Sequence, residues 1–283
     1  MAIIIALIPA IAWGSIGLVS GKLGGNAYQQ TLGMTIGALV FGIGTWAFAH
    51  PVMDTKVWVL GVLSGLFWAL GQSQQFQAMK YVGVSMTVPI STGMQLVAST
   101  LAGALLFGEW KTGKDVTLGL LALVLLVIGA TLSSRKEKSQ DAGAATSYGA
   151  GIRTLLISTA GYAGYTIVVN AGHLGATAVV LPQSVGMLIG AVLFSIGHQA
   201  FAKATAKNVV TGLLWGTGNV FMLMAMSSVG LAIAYSMSQM GIVISTFGSI
   251  FLLGERKTHK EMTWVTWGAI LIIAGGVVLG IMK

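Results

Sequence analysis

A chain of 283 residues that is 55% hydrophobic and 8% charged, with a mean hydropathy of +0.86, is a polytopic membrane protein and leaves little length for a soluble domain. The balance of 15 basic against 7 acidic residues does not mark a nucleic-acid binder, because the Lys and Arg residues sit in short gaps between apolar runs, as membrane loops do. The absence of cysteine excludes disulfides and thiol metal sites, and Met1 enters the first apolar run with no basic segment ahead of it, so no signal peptide is expected.

The apolar runs predict an all-α protein of ten spans, at about 2–20, 28–49, 57–79, 84–107, 115–133, 151–170, 177–200, 208–228, 231–253 and 263–282. The first holds Pro9 and, in mid-span, Trp13 beside Gly14-Ser15. The second and third carry Gly33-x-x-x-Gly37 and Gly61-x-x-x-Gly65, spacings that let helices approach closely. At the end of the third the chain turns polar, with Gln72, Gln74, Gln75 and Gln77. The fourth brings Pro89-Ile90-Ser91-Thr92-Gly93-Met94-Gln95. An uncompensated amide in hydrocarbon costs roughly 4–8 kcal/mol, so five glutamines facing lipid would cost on the order of tens of kcal/mol. They must face one another, other helices or a water-filled cavity. Helical spacing puts Gln72 and Gln75 on one face, and Ser91, Thr92 and Gln95 on another. Neutral groups of this kind can grip a polyhydroxylated ligand, or they can simply bond helix to helix.

The stretch Ser133–Gly149 is small, polar and charged and falls at mid-chain. It divides the sequence into a five-helix repeat over 1–133, a linker over 134–149 and a second five-helix repeat over 150–283. The sixth span holds Tyr162 and Tyr165 on one face, with Asn170 near its end. The seventh holds Pro182-Gln183, the eighth Trp215 and Asn219, and the ninth Gln239. An indole or phenol ring can cover the C–H face of a sugar while its N–H or O–H makes a hydrogen bond.

The halves repeat each other. Leu106-Phe107-Gly108-Glu109 recurs as Leu252-Leu253-Gly254-Glu255, and Gly65-Leu66-Phe67-Trp68 with Gly71-Gln72 recurs as Gly212-Leu213-Leu214-Trp215 with Gly218-Asn219. Gly33, Gly37 and Phe41 match Gly186, Gly190 and Phe194, with Gln30 against Gln183. An odd number of spans per half makes the second copy enter the membrane inverted, a recurring transporter plan with its site between the repeats. Eleven basic residues fall on the loops of one face and four on the other, which places both termini outside. All seven acids lie in connectors or at helix ends, so a mid-span carboxylate relay is missing. Glu109 and Glu255 are expected to cap the next helix or to pair with Lys111 and Lys257. Trp58, Trp110, Trp264 and Trp267, together with the four histidines, read as interfacial.

With these motifs in place, the chain resembles the glucose/ribose porter family, bacterial sugar-uptake proteins of the drug/metabolite transporter superfamily. The likeness rests on Pro9 with Trp13-Gly14, Gly71-Gln72 with Gln75, Ser91-Thr92-Gly93-Met94-Gln95, Leu181-Pro182-Gln183, and Trp215 with Gly218-Asn219. It implies monosaccharide uptake through the bacterial plasma membrane, glucose first, by alternating access, with protons as coupling ion. The missing mid-span carboxylate keeps facilitated diffusion open beside proton symport. The expected substrate-binding set is Trp13, Gln72, Gln75, Ser91, Thr92, Gln95, Tyr162, Tyr165, Gln183, Asn219 and Gln239. Neither a cofactor nor a metal is expected, nor is nucleic acid a partner; the lipid bilayer is. An exporter of drugs or metabolites is the alternative within the same superfamily, and a non-transporting scaffold is the alternative from another class. An intramembrane enzyme is disfavoured because no catalytic set falls within the spans.

Overall fold

The computed structural model describes residues 2–82, 84–133, 135, 148–252 and 257–282. Every regular element among them is helical. The first half runs α1 (Ala2–Leu23), α2 (Ala27–Ala49), α3 (Thr55–Val82), α4 (Val84–Leu101) continued by a π-helical turn (Ala102–Leu106), and α5 (Gly113–Ser133). The second runs α6 (Tyr148–Ala171), α7 (Ala176–Ser195), a short α8 (Lys203–Lys207), α9 (Val209–Val229), α10 (Leu231–Ser238), α11 (Gly241–Leu252) and α12 (His259–Ile281). Most of the expected linker and the Gly254-Glu255 pair lie outside the described residues.

Local chemistry sets the boundaries. Asn26 opens α2 with a reciprocal cap: its side chain accepts from the Gln29 N–H, and its own N–H donates to Gln29 Oε1. His50 closes the helix at φ 42°, a left-handed C-terminal turn. Between α9 and α10 the reversal falls on Gly230 at φ 88°, which an L side chain would strain.

Eight stretches are long and apolar enough to cross a membrane: Ile5–Leu23, Ala27–Ala49, Gly113–Ser133, Tyr148–Ala171, Ala176–Ser195, Lys203–Val229, Leu231–Leu252 and His259–Ile281. Of the ten spans expected, α3 falls short because its own glutamines dilute it. The fourth contributes the shorter apolar stretch Ile90–Leu106.

The most extensive helix packing crosses the halves. In the middle of the bundle α3 lies on α6 and α7, while α1 and α2 lie on α9. α4 packs on α6 and α1 on α11, and the pairs α2 with α7 and α5 with α12 complete it. Glycines make these approaches possible. A Cβ on Gly37 would sit 1.9 Å from the Val209 carbonyl oxygen, and one on Gly186 would sit 2.2 Å from that of Val62. Gly37 therefore does on α9 what Gly186 does on α3. The sequence match of Gly33 with Gly186 is one helical turn out of this packing register, and Gln30 is no counterpart of Gln183. Its amide bonds to the carbonyls of Gly24 and Gly25 in the loop. Trp68 and Trp215, each only 4% exposed, meet edge to face at 6.0 Å and are packing residues.

Candidate functional site

The glutamines of α3 and α4 converge as the apolar surroundings require. Tyr162 on α6 donates its hydroxyl to Gln72 Oε1 at 2.9 Å, with Gln75 Oε1 at 3.2 Å. Gln75 Nε2 donates to Ser91 Oγ at 2.8 Å, and Gln95 Nε2 reaches the same oxygen at 2.9 Å. Tyr235 on α10 closes the row by donating to Gln95 Oε1 at 2.9 Å. Four helices, two from each half, thus share one run of neutral groups. Ring packing aids the approach: Gly71 lies against the Tyr162 ring, where a Cβ would come within 2.9 Å.

A second run lies beside the first. Tyr165, one helical turn after Tyr162, donates to Asn219 Oδ1 at 2.9 Å, and Asn219 Nδ2 donates to Gln183 Oε1. Gln183 Nε2 donates to Ser64 Oγ at 2.7 Å, which donates in turn to the Tyr165 carbonyl at 2.6 Å. Gln183, Asn219 and Ser64 are each 0% exposed. The turn between Tyr162 and Tyr165 on α6 thus carries one phenol into each run.

The structure brings eight of the eleven expected residues into these two runs. Trp13 stands at their edge, its indole N–H donating to the Trp215 carbonyl at 3.2 Å and its ring filling the notch at Gly218. Thr92 is buried next to Ser91. Gln239 does not join: its amide reaches the neighbouring Ser238 hydroxyl at 3.4 Å.

Sequence reasoning missed Ser64, Tyr235 and Ser158. Ser64 was concealed by its place inside Gly61-x-x-x-Gly65, where a serine reads as a small packing residue. Ser158 likewise passed as packing, and it donates to the Gly71 carbonyl at 2.7 Å. Tyr235 carried a legible signal, because a phenol in mid-span four residues before Gln239 shares a helical face with an amide.

Each acid among the described residues holds a helix N-terminus. Asp54 accepts from the Val57 N–H, Asp115 from Lys111 and Thr112, and Glu261 from Thr258. Glu109 does so too, but not for the helix that follows it. Its carboxylate accepts from the N–H groups of Leu231 at 2.6 Å and Ala232 at 2.9 Å, the start of α10 in the other half. Capping is the right role and the expected helix is corrected. Trp110 packs its ring on Gly119 with the indole nitrogen buried. Arg135 lies 4.5 Å over the Trp264 ring.

Residues 4–282 match the family described as Sugar transport protein. The chain is 59% identical to a "Putative sugar uptake protein" of Lactiplantibacillus plantarum over the whole of both chains. It is 46% identical to a "Probable glucose uptake protein GlcU" of Priestia megaterium, again over 100% of each. A crystal structure of another protein superposes on 100% of this chain and 99% of its own with a TM-score of 0.74 at 17% identity, a likeness of fold alone.

Proposed function

The chain belongs to the sugar transport protein family, and from that premise we propose that it is a permease for monosaccharide uptake, glucose first, working by alternating access. It is a multi-pass protein of the bacterial plasma membrane. The observation that carries the reading is the pair of hydrogen-bonded runs of uncharged amides, phenols and hydroxyls shared by both halves. A hexose hydroxyl both donates and accepts, and amides and hydroxyls offer the same two roles. Inter-helix polar bonds in membranes are worth on average only about 0.6 kcal/mol. The side chains can therefore exchange partners with a sugar at little cost. A neutral site also avoids stranding an unpaired charge in a low-dielectric interior.

The contacts support ten spans in two inverted halves, the ninth formed by α10 with α11. Exchanging the halves maps α3 on α6 to α9 on α1, α3 on α7 to α9 on α2, and α4 on α6 to α11 on α1, each of which the bundle contains. The pairs α2 with α7 and α5 with α12 map onto themselves. A site between repeats that exchange in this way can be opened to either side by rocking one against the other. Facilitated diffusion is the favoured mode, because each described acid is engaged at a helix N-terminus and none lies in the polar runs. Uptake of radiolabelled glucose into proteoliposomes tests the proposal. Saturable uptake above empty vesicles is expected, and no uptake of any hexose would refute it.

A further inference from the structure

A cavity lies outside the central runs, between α2, α3 and α7. It holds about 230 Å³ and is lined by Tyr28, Thr31, Ser73, Gln74, Gln77 and His198, with Ser195, Phe194 and two alanines completing the wall. It lies towards the end of the bundle shared by loops 24–26 and 196–208, the face on which the basic residues concentrate. By the charge bias that face is cytoplasmic. The glutamines of α3 are thus divided by helical phase. Gln72 and Gln75 bond within the central run, whereas Gln74 and Gln77 turn to this cavity.

We propose that this cavity is a second saccharide-binding station, an exit vestibule on the cytoplasmic side of the central site. The inference rests on the sugar-transport reading above and extends it by a site. Three observations carry it. The Thr31 hydroxyl is buried with no hydrogen-bond partner among the described residues, although a hydroxyl in this setting ordinarily has one. A turn about the Thr31 Cα–Cβ bond would bring it to the cavity, where a polyol would supply that partner. Tyr28 stacks on His198 at 3.9 Å and 8°, which gives a flat aromatic surface suited to a sugar's C–H face. No Lys, Arg, Asp or Glu is among the described lining residues, so a phosphate or carboxylate ligand would find no counter-charge there. Hydroxyls and amides over an apolar floor fit a neutral hexose.

The chain has no cysteine, so Ser195→Cys introduces a single thiol into the cavity wall. Its reaction with a membrane-impermeant maleimide is followed on the cytoplasmic face of sealed vesicles, with and without D-glucose. At a sugar concentration ten times its Kd, labelling should slow about 11-fold. The protection should persist when Gln183→Ala weakens the central run. It should vanish with Gln74→Ala and with Thr31→Val, a near-isosteric change that leaves every described hydrogen bond in place. Equal labelling rates with and without glucose, in a preparation that takes up glucose, would overturn the vestibule and leave the transport reading standing. So would protection that disappears in Gln183→Ala, because the central site alone would then account for it. A protein that takes up no hexose would instead refute the transport reading.

Discussion

Gly65→Ala is a single methyl group placed where two helices touch. A Cβ there would stand 2.0 Å from the Gln183 carbonyl oxygen, 2.6 Å from the Met187 nitrogen and 2.9 Å from the Gly186 Cα. All three are backbone atoms, so no side-chain rotation relieves the clash. Bringing the first contact to an ordinary separation of about 3.4 Å requires α3 and α7 to part by roughly 1.4 Å at this turn. Overpacking of that kind costs about 1–3 kcal/mol. The same turn carries Ser64, whose oxygen lies 2.7 Å from Gln183 Nε2. Separating the helices would stretch that bond beyond about 3.5 Å, where it ceases to be one. Gly65→Ala should therefore lower thermal stability in detergent and raise the KM for sugar together. Gly17→Ala and Gly44→Ala, which meet nothing within 4 Å, should be neutral or stabilising by about 0.5–1 kcal/mol. Melting curves and uptake measured on the same preparations make the comparison. If Gly65→Ala melted and transported like the two controls, the close approach of α3 and α7 would not support the site as described.

Three further outcomes follow from the geometry. Gln183→Ala removes one donor and one acceptor from the second run, and two neutral bonds at about 0.5–1.5 kcal/mol each should raise the glucose KM about 5- to 150-fold while the protein still inserts. Glu109→Ala leaves two N–H groups at the start of α10 without their acceptor and should cost about 1–3 kcal/mol, whereas Glu109→Gln keeps an acceptor oxygen and should cost about 0.3–1 kcal/mol. In both variants glucose counterflow should persist after an uncoupler collapses the proton gradient; loss in Glu109→Gln at normal protein levels would make that carboxylate a coupling group. Single cysteines at Val52 and Phe201, 86% and 80% exposed on opposite faces, should react with an impermeant maleimide from outside and from inside respectively, and the reverse pattern would invert the topology.

Much of this was legible in the sequence because hydrocarbon penalises unpaired amides so heavily. Gln72, Gln75, Gln95, Gln183 and Asn219 had to find polar neighbours, and Tyr162 and Tyr165 were the phenols spaced to reach them. Partner identity was less legible, since it depends on which helices meet. Glu109 shows this: capping follows from charge and position, but the start of α10 is 122 residues away and only the packing of the halves brings it near. The sequence match of Gly33 with Gly186 lies one turn from the packing register of Gly37 and Gly186 for a similar reason. Glycines recur every four residues there, so a shift by one turn still aligns glycine with glycine. Ser64 and Ser158 went unread because a serine in a span serves packing as readily as bonding. The cavity at Tyr28 and His198 joins residues of three helices, which no local pattern signals.

The central claim, that uncharged groups in the two runs read the hydroxyls of a sugar, is tested most directly by competition. Radiolabelled glucose counterflow is measured in proteoliposomes against each monodeoxy-glucose, for the unaltered protein and for Gln183→Ala. At one or more positions the deoxy sugar should compete about 2- to 12-fold less well than glucose, the worth of one neutral hydrogen bond. For the hydroxyl that Gln183 meets, that penalty should shrink in Gln183→Ala, the coupling expected of groups in contact. Deoxy sugars that all compete as well as glucose would contradict the account and make the two runs helix-to-helix bonding alone.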